Sequence, residues 1–303
     1  MLGNYTLILL STAMFGLGFV CQDLYRRERG SSVLISLQYS FISSCISLLV
    51  FLSFNGFRFA CTPFVFIMAL LCAASNFGFT FCSFKSLGII NLSLYSLFSM
   101  LGGMVLPFLQ GILFYGEPVT VANALCFLLI LVALGVTVER DSGKKGGAVY
   151  YIGVFTLNGM SGVLSKIFNE APFDKGSGDP LVSYSVMSGL LTVMIAGALI
   201  LYFSERQKEE LPRMSLRSNL ISGTGGLINR LANYILTIAL LSVPASVQYP
   251  MVTGGVMIFS TLACFLMKVK PSKRELISIA IAFIALVVLV LPPLNIHLFA
   301  IRF

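Results

Sequence analysis

The sequence has almost nothing from which to assemble a catalytic or metal centre. It contains a single histidine, His297, and neither H-E-x-x-H nor G-x-S-x-G occurs, which argues against zinc-protease and serine-hydrolase chemistry. The phosphate-cradling pattern G-x-x-x-x-G-K-[ST] is also missing, so this chain is not expected to hydrolyse ATP. The 7 cysteines are odd in number, form no C-x-x-C pair and have no histidine near them, which supports neither a disulfide framework nor a zinc site. Cys21, Cys45, Cys61, Cys72, Cys82, Cys126 and Cys264 read instead as small packing residues. No catalytic residue, metal or cofactor is called for.

Charge is scarce as well. Charged residues make up 11% of the 303 and hydrophobic ones 57%, against roughly 25% and 45–50% in a soluble domain. What fills the chain is apolar sequence in runs near 20 residues, the length that crosses about 30 Å of hydrocarbon. Ten such runs are expected, at 4–22, 33–54, 63–84, 88–114, 119–138, 148–168, 181–203, 218–241, 244–267 and 275–294. They are uniformly apolar and lack the alternation of barrel strands, so the fold class is an all-α membrane protein. The first run begins too early to follow a charged leader and has no small-residue cleavage site after it, so it is expected to stay. The localisation expected is an integral, multi-pass protein of the cell (inner) membrane.

The formal net charge of +8 invites a nucleic-acid reading, which needs a basic patch on a solvated face. The basic residues fall instead in short breaks: "YRRERG" at 25–30, "ERDSGKKGG" at 139–147, "SERQKEELPRMSLR" at 204–217 and "KVKPSKRE" at 268–275. These flank membrane helices, where anionic headgroups of the lipid bilayer supply the counter-charge. Nucleic acid is not an expected partner. The oligomeric state stays open, and a monomer is compatible with the sequence.

The break at 139–147 divides the chain into two sets of five runs, at 1–141 and 142–303. Displacing the chain by 153 residues brings Asn76 onto Asn229, Leu87 onto Leu240, Ser93 onto Ser246, Gly102 onto Gly255, Leu109 onto Leu262, Leu113 onto Leu266 and Pro118 onto Pro271. A displacement of 143 brings Gly16 onto Gly159 and Val20 onto Val163. Five spans is an odd number, so the second copy would cross in the opposite sense. Inverted repeats of this kind enclose a substrate site near the midplane in many carriers.

The segment "SLGIINLSLYSLFSMLGGMVLPFLQGILFYGEPVTVANALCFLLILVALGV" (86–136) resembles the end of a repeat in the drug/metabolite transporter superfamily, EamA-like branch. Pro107, Gly116, Glu117 and Gly135 occupy the positions of that pattern, and "LNGMSGVLSK" (157–166) resembles the opening helix through Gly159 and Lys166. The resemblance covers nearly the whole chain and implies ten helices in two inverted five-helix repeats around a central cavity. The chain departs from the pattern in having no tryptophan, with Phe15 before Gly16, Asp23 at a frequent lysine position and Lys270 opposite Glu117. Orientation is contested: 15 of the 20 Lys and Arg residues lie in breaks after the odd-numbered spans, which by the positive-inside rule puts both termini outside, whereas the family habit puts both inside.

Within the eighth run, "GGLINRLANYILTIALL" (225–241), Arg230 lies about 12 residues from the span's start, roughly 18 Å deep. An arginine there costs on the order of 2.5–3.5 kcal/mol, so it is expected to face a bundle interior or a wet cavity. Gly226, Asn229, Arg230, Asn233 and Thr237 share one stripe, with Leu227, Leu231, Ile235 and Ile238 elsewhere. A guanidinium's natural partner is a carboxylate or phosphate. Arg230 is therefore a candidate to receive an anionic group of a small-molecule substrate, against a structural role satisfied by backbone carbonyls or by Asn76 and Asn229.

Tyr95, Gln248 and Tyr249, bulky polar groups on the fourth and ninth spans, join the substrate-binding candidates with Asn229, Asn233 and Asn76. The small residues around them, such as Ser96, Ser99 and Thr253, read as helix packing. Gln38, Tyr39 and Tyr184 could serve gates but read first as core. Asp23 is a candidate for proton coupling, weighed against an interfacial ion pair with "YRRERG". "DKGSGD" at 174–179 lacks the spacing of a calcium loop and reads as a turn. The function expected is non-ATP, secondary transport of a small polar or amphipathic metabolite by alternating access, the substrate carrying an anionic group such as an amino acid-like carboxylate. The alternatives are a flippase for a lipid-linked substrate and a non-transporting receptor or assembly subunit.

Overall fold

A computed structural model describes the whole chain except residues 1, 55, 90–91, 118, 138–147, 177–178, 208–214, 240, 244, 267–272, 291–296 and 300–303. The expected boundary between halves at 139–147 lies outside the described residues, as do Pro118, Lys270 and Pro271. The described chain is almost entirely helical: α1 Leu2–Arg29, α2 Val33–Phe54, α3 Pro63–Leu87, α4 Leu92–Tyr115, α5 Val121–Thr137, α6 Ala148–Glu170, α7 Pro180–Gln207, α8 Leu216–Ala239, α9 Ala245–Leu266 and α10 Lys273–Val290. Among the described residues five of these are long and apolar enough to cross a membrane: Tyr5–Arg29, Val33–Phe54, Pro63–Leu87, Phe98–Tyr115 and Pro180–Glu205. The protein is an all-α integral membrane protein. The polar residues of α8 lower its hydropathy, while α5 has only 17 residues.

Local signals set the helix ends. Thr62 caps α3 by accepting from Val65 N, with Pro63 in the first turn where a missing N–H costs nothing. Asp179 accepts from the backbone of Leu181 and Val182 at 2.9 and 3.3 Å and so starts α7. Gly30, at φ +97°, ends α1 by donating its N–H to Arg26 O at 2.7 Å, and Gly116, at φ +60°, turns the chain just past α4. One further contact is not legible in the sequence. Val119–Thr120 (β1) pairs antiparallel with His297–Phe299 (β2), tying the turn after α4 to the tail.

Packing is between the two sets of helices more than within them. α1 lies along α8 and α9, α6 along α3 and α4, α2 along α7 and α8, and α3 along α7, while α4 packs on α9 and α5 on α10. The largest buried cluster joins Phe15 and Phe19 of α1 with Tyr95 and Met104 of α4, Leu236 of α8 and Val256 of α9. Outward-facing Leu49, Phe54, Leu128, Leu201 and Phe283 are exposed on the bundle surface, where hydrocarbon is their natural solvent.

Two close helix crossings depend on glycine. A Cβ added at Gly102 on α4 would fall 1.9 Å from the Phe155 carbonyl oxygen of α6, and one at Gly226 on α8 would fall 2.1 Å from Ser43 Cβ of α2. At Gly102 the obstacle is backbone, which cannot swing aside. Gly102→Ala is therefore expected to destabilise by about 1–3 kcal/mol, the usual range for overpacking. Gly135→Ala on α5, where nothing lies within 4 Å, should leave thermal unfolding in detergent unchanged or slightly improved.

Candidate functional site

A cavity of about 160 Å³ lies inside the bundle, walled by α1, α2, α3, α6, α7 and α8 with Met100 of α4. That is close to the roughly 150 Å³ apolar cavity that admits a benzene molecule. Its lining is polar, however. α2 supplies Ser40, Ser43, Ser44 and Ser47 from successive turns, and α7 answers with Ser185, Ser188 and Thr192. Many of these hydroxyls donate back to their own helix, as Ser47 Oγ does to Ser43 O at 2.7 Å and Thr192 Oγ1 to Ser188 O at 2.7 Å. Such back-bonding satisfies the hydroxyl hydrogen and leaves oxygen lone pairs for other donors.

Burial of the lining differs between the two ends of the cavity. Gln22, Tyr39 and Ser40 are buried where α1 finishes and α2 begins, and the Tyr25, Tyr39 and Phe84 rings close that end with centroids 5.2, 5.4 and 6.1 Å apart. Toward the end where α6 stops and α7 starts, Leu181, Ser185, Tyr234 and Thr237 are partly exposed and Asn233 is exposed. A smaller space of about 50 Å³ shares Phe15, Met100, Asn158, Ser161, Ser165, Asn233 and Thr237 with the first and extends toward Tyr249 and Thr253 of α9.

All five members of the α8 stripe, Gly226, Asn229, Arg230, Asn233 and Thr237, line the cavity. Arg230 reaches across to α7, donating from Nη1 to Ser188 Oγ at 2.8 Å and to Ser185 O at 3.2 Å. Among the described residues its Nε and Nη2 bond to no protein group. No Asp or Glu among the described residues lines the cavity, and the acidic side chains nearest to it in the chain are bound elsewhere. Asp23 accepts from Arg26 at 2.9 Å and from Arg27 at 2.8 Å on its own helix. Asp179 caps α7 and takes the Tyr234 hydroxyl at 3.1 Å. Glu117 pairs with the buried Lys166, whose ammonium also lies 4.9 Å over the Tyr115 ring. The guanidinium thus borders a space lined, among the described residues, by no negative charge.

The expected site residues divide. Arg230, Asn229, Asn233 and Asn76 share the main cavity, and Tyr249 borders the smaller space while donating to Gly162 O at 3.3 Å. Tyr95 and Gln248 are not brought to it: both are buried outside the lining of the two spaces. The Tyr95 hydroxyl lies 2.7 Å from Ser83 Oγ and 3.3 Å from Gln22 Oε1, and Gln248 Nε2 donates to Leu236 O at 2.7 Å. The Tyr95 hydroxyl and the Gln248 amide nitrogen have partners in neighbouring helices, and Tyr95 meets the cavity lining through Gln22 and the Phe19 ring. Asp23 also lies outside the lining, bound by its two arginines. Missed altogether were the serines of α2 and α7 and Asn158, Ser161 and Ser165 of α6. Their three- and four-residue spacing was visible, but serine spaced that way is also the mark of close helix packing.

No family model matches the chain, and no curated protein matches it. Among solved structures, one described as "Crystal structure of protein" superposes with a TM-score of 0.63 over 95% of both chains at 14% identity. That likeness is one of fold: the helical arrangement recurs in another chain of nearly the same extent.

The Lys166–Glu117 pair joins α6 to the turn after α4, and Gly111 makes room for it, since a Cβ there would meet Glu117 Oε2 at 2.7 Å and Lys166 Nζ at 2.9 Å. Removing Glu117 leaves the buried Lys166 ammonium without its carboxylate. Glu117→Ala or Lys166→Ala is expected to cost about 3–5 kcal/mol, and the double change to Gln and Met to recover much of it, as read by thermal unfolding in detergent.

Proposed function

We propose that the chain is a secondary carrier of the drug/metabolite transporter type that moves a small metabolite bearing an anionic group. The single observation behind this is Arg230, a permanent cation deep in a membrane protein that lines a polar cavity, with its Nε and Nη2 donors bonded to no protein group and no carboxylate among the described lining residues. The Nε–Nη2 edge is a two-donor fork that matches the two oxygens of a carboxylate.

Alternating access needs two halves that can exchange places, and several contacts favour two inverted five-helix repeats. Exchanging each helix for the one five places along turns α1 on α8 into α6 on α3, α1 on α9 into α6 on α4, and α2 on α8 into α7 on α3, all of which occur. The same exchange applied by residue, with displacements of 153 and 143, pairs the close approach of Gly102 to Phe155 with that of Gly255 to Thr12, and Gly159 against Leu106 with Gly16 against Phe259. The Thr253 hydroxyl donates to Met100 O at 3.1 Å, joining two residues 153 apart, each the other's counterpart. Asn76 and Asn229, also counterparts, face the same cavity. In this reading all ten helices span the cell membrane, and the cavity opens on the side where α1 begins and α10 ends.

The cavity's modest volume favours a small metabolite over a lipid-linked substrate. Flux of a panel of labelled organic acids into proteoliposomes tests the proposal. Arg230→Gln is expected to lower uptake of the transported acid about 10–100-fold, the worth of a charge-assisted fork, with Arg230→Lys falling between. Undiminished flux in both variants removes Arg230 from the site, and absence of flux for every acid removes the transport reading.

A further inference from the structure

The cavity's charge inventory narrows the substrate further, on the assumption that the proposed anion site is right. Arg230 supplies one positive charge; every other lining side chain among the described residues is neutral. A second anionic group on the substrate would have no cation to receive it. An ammonium group would enter a cavity without a carboxylate and close to a guanidinium, where low surrounding dielectric strengthens repulsion. An α-amino acid, which sets its ammonium beside its carboxylate, is the worst case. Neutral donors and acceptors, by contrast, are well provided for by Asn76, Asn158, Asn229 and the serines. One wall is aromatic, with Phe15, Phe19 and Phe79, and the volume is close to that which takes a six-membered ring.

We propose that the site selects a compact monoanion, a ring-sized hydroxy-monocarboxylate, with its carboxylate on the free Nε–Nη2 edge of Arg230, its apolar body against Phe15, Phe19 and Phe79, and its hydroxyl among the Ser and Asn side chains. Zwitterions, cations and dianions of the same size are rejected. The amino acid-like substrate expected from the sequence is thereby set aside, because that expectation counted the arginine but could not count the missing carboxylate.

Five benzene derivatives of similar size isolate each charge state: 4-hydroxybenzoate, the neutral 4-hydroxybenzamide, the cation 4-hydroxybenzylamine, the zwitterion 4-(aminomethyl)benzoate and the dianion terephthalate. Binding to the purified full-length protein is measured by calorimetry and by thermal shift. 4-Hydroxybenzoate is expected to bind at least tenfold more tightly than each of the others. Asn233→Asp, which puts a carboxylate on the exposed lining residue, is expected to narrow or invert the gap between 4-hydroxybenzoate and the zwitterion.

Equal or tighter binding of the zwitterion or the dianion by the unaltered protein overturns the selectivity proposal. If Arg230→Gln still weakens the carboxylates in that case, the anion site survives its failure. Binding of 4-hydroxybenzoate no tighter than that of its amide overturns both together. The comparison within the unaltered protein decides the matter even where a variant fails to fold.

Discussion

A guanidinium cannot shed its proton, and a membrane interior offers it no solvent, so a chain that places one there must surround it with substitutes for water. That constraint organises this bundle. Arg230 secures two oxygen acceptors on α7 through one nitrogen, and the cavity beside it is lined with hydroxyls and amides. A fully neutralised arginine would have a carboxylate against it, as Lys166 has Glu117. The two cations contrast: Lys166 is closed off by an acid and an aromatic ring, whereas Arg230 bonds to the protein through Nη1 alone among the described residues.

The same bundle achieves closure without bulk. Glycine at the crossings of α4 with α6 and of α8 with α2 brings backbones within the reach of side-chain oxygens, and serine then bonds across or back along the helix. Ser222 Oγ of α8, for example, donates to Tyr39 O of α2 at 3.0 Å. Hydrocarbon gives helices no hydrophobic reason to associate, so close contact and hydrogen bonds carry the load. Large side chains are saved for the end that is shut, where Tyr25, Tyr39 and Phe84 meet edge to face or tilted.

The helices were legible because length and hydropathy are local properties: each expected run corresponds to a helix, with ends displaced by a few residues where caps such as Gly30 and Asp179 intervene. The α8 stripe was legible because five polar or small residues at helical spacing share one side. The place of Tyr95 and Gln248 outside the lining was not legible, because a polar head on an apolar helix asks for a partner without saying whether a neighbouring helix or a ligand provides it. The join between Lys166 and Glu117 escaped notice for a related reason. Both were singled out one at a time, and a contact across 49 residues depends on how α4 and α6 cross.

The bond between Thr253 and Met100 has a mechanical meaning. It runs from a side chain of α9 to the main chain of α4, at a hydroxyl that also lies 2.8 Å from Tyr249 O on its own helix. A bond of that kind pins two neighbouring helices at one height, so any sliding of α4 along α9 has to break it, whereas a tilt about that point can leave it whole.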